Sequence, residues 1–151
     1  MNDTTATAGG PLLLAELTQQ LHQFFHHLDE YRYDDMVAMF IEDGVWLRQG
    51  QRLHGRAAIR QVLAARPAGQ RIRHVMTNAF IAERQADRVR LEAYMTAYRH
   101  EHPPAGGVPV IAGPFRLNLV TTWFVPVAGQ WLIAEQHMLP EFIIEPTGGA
   151  A

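Results

Sequence analysis

The 151-residue chain contains no cysteine, no serine and no lysine. Their absence excludes disulfide bonds, thiolate metal centres, and covalent catalysis through a thiol, a serine hydroxyl or a lysine Schiff base. A run of basic residues is also missing and the formal net charge is −2, so no nucleic-acid partner is expected. No apolar run approaches the roughly 20 residues needed to cross a membrane. The first ten residues, MNDTTATAGG, lack the basic-then-apolar order of a secretion signal. A cytoplasmic protein with no membrane partner is the expectation.

Eight histidines, the carboxylates, four tyrosines and arginine remain for chemistry, which points to proton transfer or metal assistance. Hydrophobic residues make up 48% of the chain and are spread along it. This length ordinarily folds as one unit. A single domain over 12–145 is expected, with flexible tails at 1–11 and 146–151.

Leu14, Leu17, Leu21, Phe24, Phe25 and Leu28 recur at the spacing of one buried helical face, predicting a helix over 12–28. Tyr31, Arg32 and Tyr33 interrupt. Asp34 is then placed to cap a second helix carrying Met36, Val37, Met39 and Phe40, which Asp43 and Gly44 would end. Short strands at 45–48 and 51–54 flank a Gln49-Gly50 turn, and a third helix is expected over 56–66, stopped by Pro67 and Gly69.

From Arg71 the period becomes two. Segments 72–83, 88–100, 115–126 and 131–138 read as long strands, with a last strand or turn at 139–145 and an extended loop over 102–113. Three N-terminal helices followed by a meander predict an α+β fold: helices packed on a strongly bent, mostly antiparallel sheet, closing into a cone-shaped α+β barrel. The inside of such a cone is a natural small-molecule pocket.

Alternation puts His74 on one side of its strand with Ile72, Met76, Asn78 and Phe80. An imidazole there becomes a proton acceptor if a carboxylate fixes its tautomer. Asp29, at the end of the first helix, is the candidate partner; a satisfied core histidine and a solvated acid are the competing reading. Trp46, Met76, Met95 and Trp123 would supply an apolar wall. His137 is either a pocket residue or a surface one, and Tyr31 either polarises a carbonyl or simply packs. Neither His26-His27 nor His100-Glu101-His102 offers the three or four convergent ligands a metal needs, so no metal and no cofactor is expected.

The order LDEYRYDD, EDGVW, HGRAAI, RHVMTN and GQWLIAEQHM, with helices first and long strands after, resembles the SnoaL-like members of the nuclear transport factor 2-like superfamily over about residues 12–142. Within it the chain resembles the branch of hexachlorocyclohexane dehydrochlorinase, scytalone dehydratase and bile-acid dehydratase. Glu42-Asp43-Gly44-Val45-Trp46 and His74-Val75-Met76-Thr77-Asn78 are the matching stretches. The resemblance implies that Asp29 orients His74 and that His74 removes a proton from substrate. Arg32, Asp34 and Asp35 only imperfectly match the acid that the dehydratases carry near the second helix.

The expected function is therefore a cofactor-independent lyase or isomerase of the dehydratase kind, acting on an apolar cyclic or polyketide-like small molecule. Asp29 and His74 would be catalytic, with Tyr31, Trp46, Met76, Asn78, Met95, Trp123 and His137 at the substrate. A homodimer or homotrimer through the sheet is expected, as is common in the superfamily. The alternative is a non-catalytic subunit, resembling the β subunits of aromatic-ring-hydroxylating dioxygenases, or a ligand-binding protein.

Overall fold

The computed structural model describes residues 10–102 and 106–145. The expected tails lie outside the described residues apart from 10 and 11, which are helical. Helix α1 (Gly10–Asp29) buries Leu13, Leu17, Leu21, Phe24, Phe25 and Leu28, the stripe its spacing predicts. Although long, it is not apolar enough to cross a membrane, and neither is any other helix among the described residues.

The chain reverses at Tyr31, whose backbone is left-handed (φ 60°), and α2 (Tyr33–Ala38) follows. This helix departs from expectation at both ends. Asp34 does not cap it: Arg32 holds the cap position with no side-chain hydrogen bond, and Asp34 pairs with Arg60 at 2.9 Å from within the first turn. Nor does the helix run on to Asp43, because the chain turns directly into β1 (Phe40–Arg48). The carbonyls that would carry the helix forward have other donors. Met39 accepts from the Ile133 amide and Phe40 from Arg56 Nε, each at 2.8 Å. Between Phe40 and Val45 the strand is irregular, and a Cβ on Gly44 would sit 3.0 Å from the Ile41 carbonyl and the Phe40 ring. Only glycine fits that approach without displacement.

Strand β2 (Gln51–His54) pairs back on β1, and α3 (Arg56–Ala64) starts from Gly55 at φ 85°. Four long strands complete the chain: β3 (Arg71–Arg84), β4 (Val89–His100), β5 (Arg116–Val127) and β6 (Gln130–Ile143). The last absorbs most of the segment left open between strand and turn. The six strands form one sheet in the order β2-β1-β6-β5-β4-β3. β1 runs parallel to β6 and the other neighbours are antiparallel. α1 packs on β3 and on α2, while α3 rests on β1 and β2, so the helices share one face of the sheet.

The core between these layers is aromatic at its centre. The ring centroid of Phe24 lies 5.7 Å from those of Phe40 and Trp46, edge to face with both, and all three are fully buried. Such pairs contribute about 0.5–1.5 kcal/mol each beyond simple burial. They also fix Trp46, on β1, against the end of α1 where the site lies.

Two bulges decide which residues face this core. In β3 the register slips between Thr77 and Phe80, where Asn78 adopts φ 57°. In β6 it slips opposite Trp123 and Phe124, so that Glu135 and then Ile133 face consecutive residues of β5. An inserted residue reverses the side to which the rest of a strand points.

Candidate active site

Asp29 ends α1 over β3 and is only 7% exposed. One of its carboxylate oxygens lies 2.6 Å from Nδ1 of His74, and the other accepts the His74 backbone amide at 2.9 Å. In a neutral ring, a carboxylate in that position favours the tautomer with its proton on Nδ1 and the lone pair on Nε2. The second bond fixes the strand relative to the acid, so the ring has little freedom to leave. Phe25, one turn earlier on α1, packs against the imidazole with ring centroids 5.1 Å apart. Arg66 Nη1 donates to the Leu28 carbonyl at 2.7 Å, capping the helix end beside Asp29.

His74 forms part of the wall of a cavity of about 280 Å³. Leu28, Trp46, Val62, Met95 and Met138 supply its apolar side. The remainder departs from the apolar wall expected: Arg48, Arg66, Arg99, Arg116 and Asn118 also line it, and among the described residues no Asp or Glu does. Arg48 stacks on Trp46, its guanidinium carbon 4.7 Å from the ring centroid. Burial first, and then repulsion from Arg66 and Arg116, push the Arg48 guanidinium below its ordinary range. The Tyr33 phenol is pushed up by burial, against the pull of Arg66.

The residues singled out in the sequence divide accordingly. Asp29 and His74 come together, and Trp46 and Met95 line the same cavity. Met76 packs against the core beyond it. Asn78 is carried by the β3 bulge to the outer face, where it lies near Phe80, Tyr94 and Glu141. Trp123 also points outward, beneath Arg88 and Arg90. The β6 bulge turns Gln136 inward against Thr122 and leaves His137 outside, paired with Glu135. Tyr31 lies outside the cavity: its hydroxyl donates to the Gln70 carbonyl, with the Pro67 carbonyl 3.3 Å away.

The arginines carry no inward signal in the sequence, because arginine ordinarily reads as surface. One parity signal was available for Arg99, which continues the inward series Ala93, Met95, Ala97 on β4. The opposite series holds Tyr94, which is exposed on the outer face. Among the described residues no three histidine, aspartate or glutamate side chains are grouped to hold a metal.

Helices packed on one face of a mostly antiparallel six-stranded sheet give the chain the cystatin-like, nuclear transport factor 2-like class of α+β fold seen in solved structures. Within that class the chain belongs to the SnoaL-like domain family, whose sequence profile matches residues 12–137. No curated protein sequence matches it. Among solved structures it is similar to ActVI-ORFA from Streptomyces coelicolor, at 21% identity over 85% of this chain and 97% of that one, with a TM-score of 0.73. A protein from Catenulispora acidiphila, solved in complex with S-DNPA, is 22% identical over 87% of this chain and 95% of that one, also with a TM-score of 0.73. A candidate scytalone dehydratase from Novosphingobium aromaticivorans is 16% identical over 93% and 96%, with a TM-score of 0.68.

Proposed function

We propose that the protein is a cofactor-independent lyase or isomerase of the dehydratase kind. His74 Nε2 removes a proton from a cyclic or polyketide-like small molecule held in the cavity. The observation that carries this reading is the two-point hold of Asp29 on His74, with the ring forming part of the cavity wall. In the resting state Asp29 accepts the Nδ1 proton, and Nε2 is the free base. On proton transfer the ring becomes an imidazolium, and its new charge faces the Asp29 carboxylate across 2.6 Å. The side chain of His74 is 8% exposed, so water competes weakly for that charge and the interaction is stronger than at a surface. Trp46 and Met95 close the apolar side of the cavity and limit the access of solvent to the carbanion or enolate that the substrate becomes. The placement of the protein beside a ligand-bound relative supports a small molecule as the occupant.

The test is exchange chemistry. A panel of cyclic and polyketide-type ketones in deuterated buffer should take up deuterium next to the carbonyl in the presence of the protein, read by mass spectrometry. His74→Ala should slow that uptake by about 10²- to 10⁴-fold, the usual contribution of a placed general base. Uptake by His74→Ala at the wild-type rate would sink the assignment and return the chain to the non-catalytic alternative.

A further inference from the structure

The cavity wall holds more positive charge than the described residues neutralise. Four arginines line it and no carboxylate does. Of these, Arg99 is paired with Glu101 at 2.5 Å, but Arg48, Arg66 and Arg116 have no acidic partner among the described residues. Each of the three also keeps a buried nitrogen without a hydrogen-bond acceptor: Arg48 Nη1, Arg66 Nη2 and Arg116 Nε. Trp46 Nε1 is in the same condition and fully buried. Asn118, also on this wall and 3% exposed, has an unpartnered Oδ1. Buried donors are satisfied in almost every folded protein, because an unmade bond costs the full desolvation of the group. Donors of this kind gathered around one cavity suit an acceptor, and the guanidiniums favour an anionic one.

We propose that the ligand of this cavity is a carboxylate-bearing cyclic molecule whose carboxylate is bound by Arg48 and Arg116, with Arg66 and the Trp46 indole N–H beside them, while its ring lies toward His74. Planar guanidiniums suit a carboxylate because each can offer two parallel N–H donors. Arg48, on β1 beyond Trp46, and Arg116, at the start of β5, approach from different strands, so the anion fixes both the position and the rotation of the ring. Binding energy from a group that does not react is then available to orient the C–H bond toward Nε2. An anion between the three cations would offset their mutual repulsion. The inference rests on the reading of this cavity as the ligand site, and it is independent of whether His74 acts as a base.

Calorimetric titration with 2-naphthoate and benzoate, each against its isosteric amide, tests the proposal on the whole chain at neutral pH. Each acid should bind at least about ten-fold more tightly than its amide, the scale of one charge-assisted bond. Arg48→Met with Arg116→Met should abolish that preference, whereas His74→Asn should keep it while losing deuterium exchange. That last contrast separates the two readings, since anion selectivity without exchange leaves the ligand class standing and removes the base. A melting curve guards against simple misfolding. If the arginines serve the ligand, Arg48→Met is as stable as wild type or more so without ligand and loses the stabilisation that 2-naphthoate gives. Acids that bind no more tightly than their amides, or a preference that survives loss of both arginines, would overturn the proposal.

Discussion

The two ends of the cavity differ in how their polar atoms are satisfied. At the α1 end, both Asp29 oxygens and His74 Nδ1 are engaged through two hydrogen bonds, with the Leu28 carbonyl held by Arg66. At the β1 and β5 end, Arg48, Arg116, Trp46 and Asn118 leave buried atoms unpaired. A saturated cluster holds its geometry without a ligand, which suits a group that must be aimed before substrate arrives. An unsaturated cluster costs stability in the empty protein and recovers it when occupied, which suits recognition. On the proposed reading, the contrast separates the groups that position from the groups that select.

Both ends stand on the same aromatic floor, so the largest effect should come from removing it. Phe24→Ala should cost about 3–5 kcal/mol, as large-to-small changes at buried aromatics do, and chemical denaturation would measure it; a loss under 1 kcal/mol would show the floor to be dispensable. Next comes the saturated end. Asp29→Asn presents an amide where the Nδ1 proton needs a carboxylate, so exchange should fall by about 10²-fold or more, while two weakened bonds should cost about 1–3 kcal/mol of stability. A variant that is destabilised yet fully active would reduce Asp29 to a structural role. At the unsaturated end the sign should reverse: Arg116→Gln, which removes a charge from the cluster, should leave the melting temperature unchanged or raised. A drop as large as that of Asp29→Asn would erase the distinction between the two ends.

The smallest effect should come from a histidine outside both clusters. Burial depresses the pKa of His27, partly countered by Asp35. A histidine with a lowered folded pKa takes up its proton more readily when unfolded. Its contribution is therefore present above the unfolded value near 6.5 and is lost as pH falls through the folded one. His27→Gln should flatten the decline of melting temperature on acidification without altering exchange; an unchanged decline would place the acid sensitivity elsewhere.

Legibility in the sequence followed the mechanism of each element. Periodicity alone located α1 and the four long strands, because one-sided burial leaves its period in the residues. The pattern alone leaves Asp29 and His74 as one of two readings, because nothing local says where a helix end lies over a distant strand; the family resemblance singles the pair out, and the fold brings the two side chains together. The length of α2 was not legible, since its termination depends on donors from Ile133 and Arg56, far along the chain. Simple alternation puts Asn78 and His137 inside, but Asn78 lies within a bulge and His137 beyond one, and no local composition announces either. The arginine wall was hidden for a different reason. Arg48, Arg66 and Arg116 come from three separate elements or loops, and only the folded sheet makes them neighbours.

The turn at Tyr31 carries one more consequence. Its hydroxyl reaches the Gln70 carbonyl, and Arg66 reaches back to Leu28, so the segment from Arg66 to Gln70 is pinned twice to the tip of α1. Arg66, Pro67 and Gln70 are themselves part of the cavity wall. One stretch of the cavity wall and the helix end that carries Asp29 are therefore a single mechanical unit, and a shift in either is transmitted to the other.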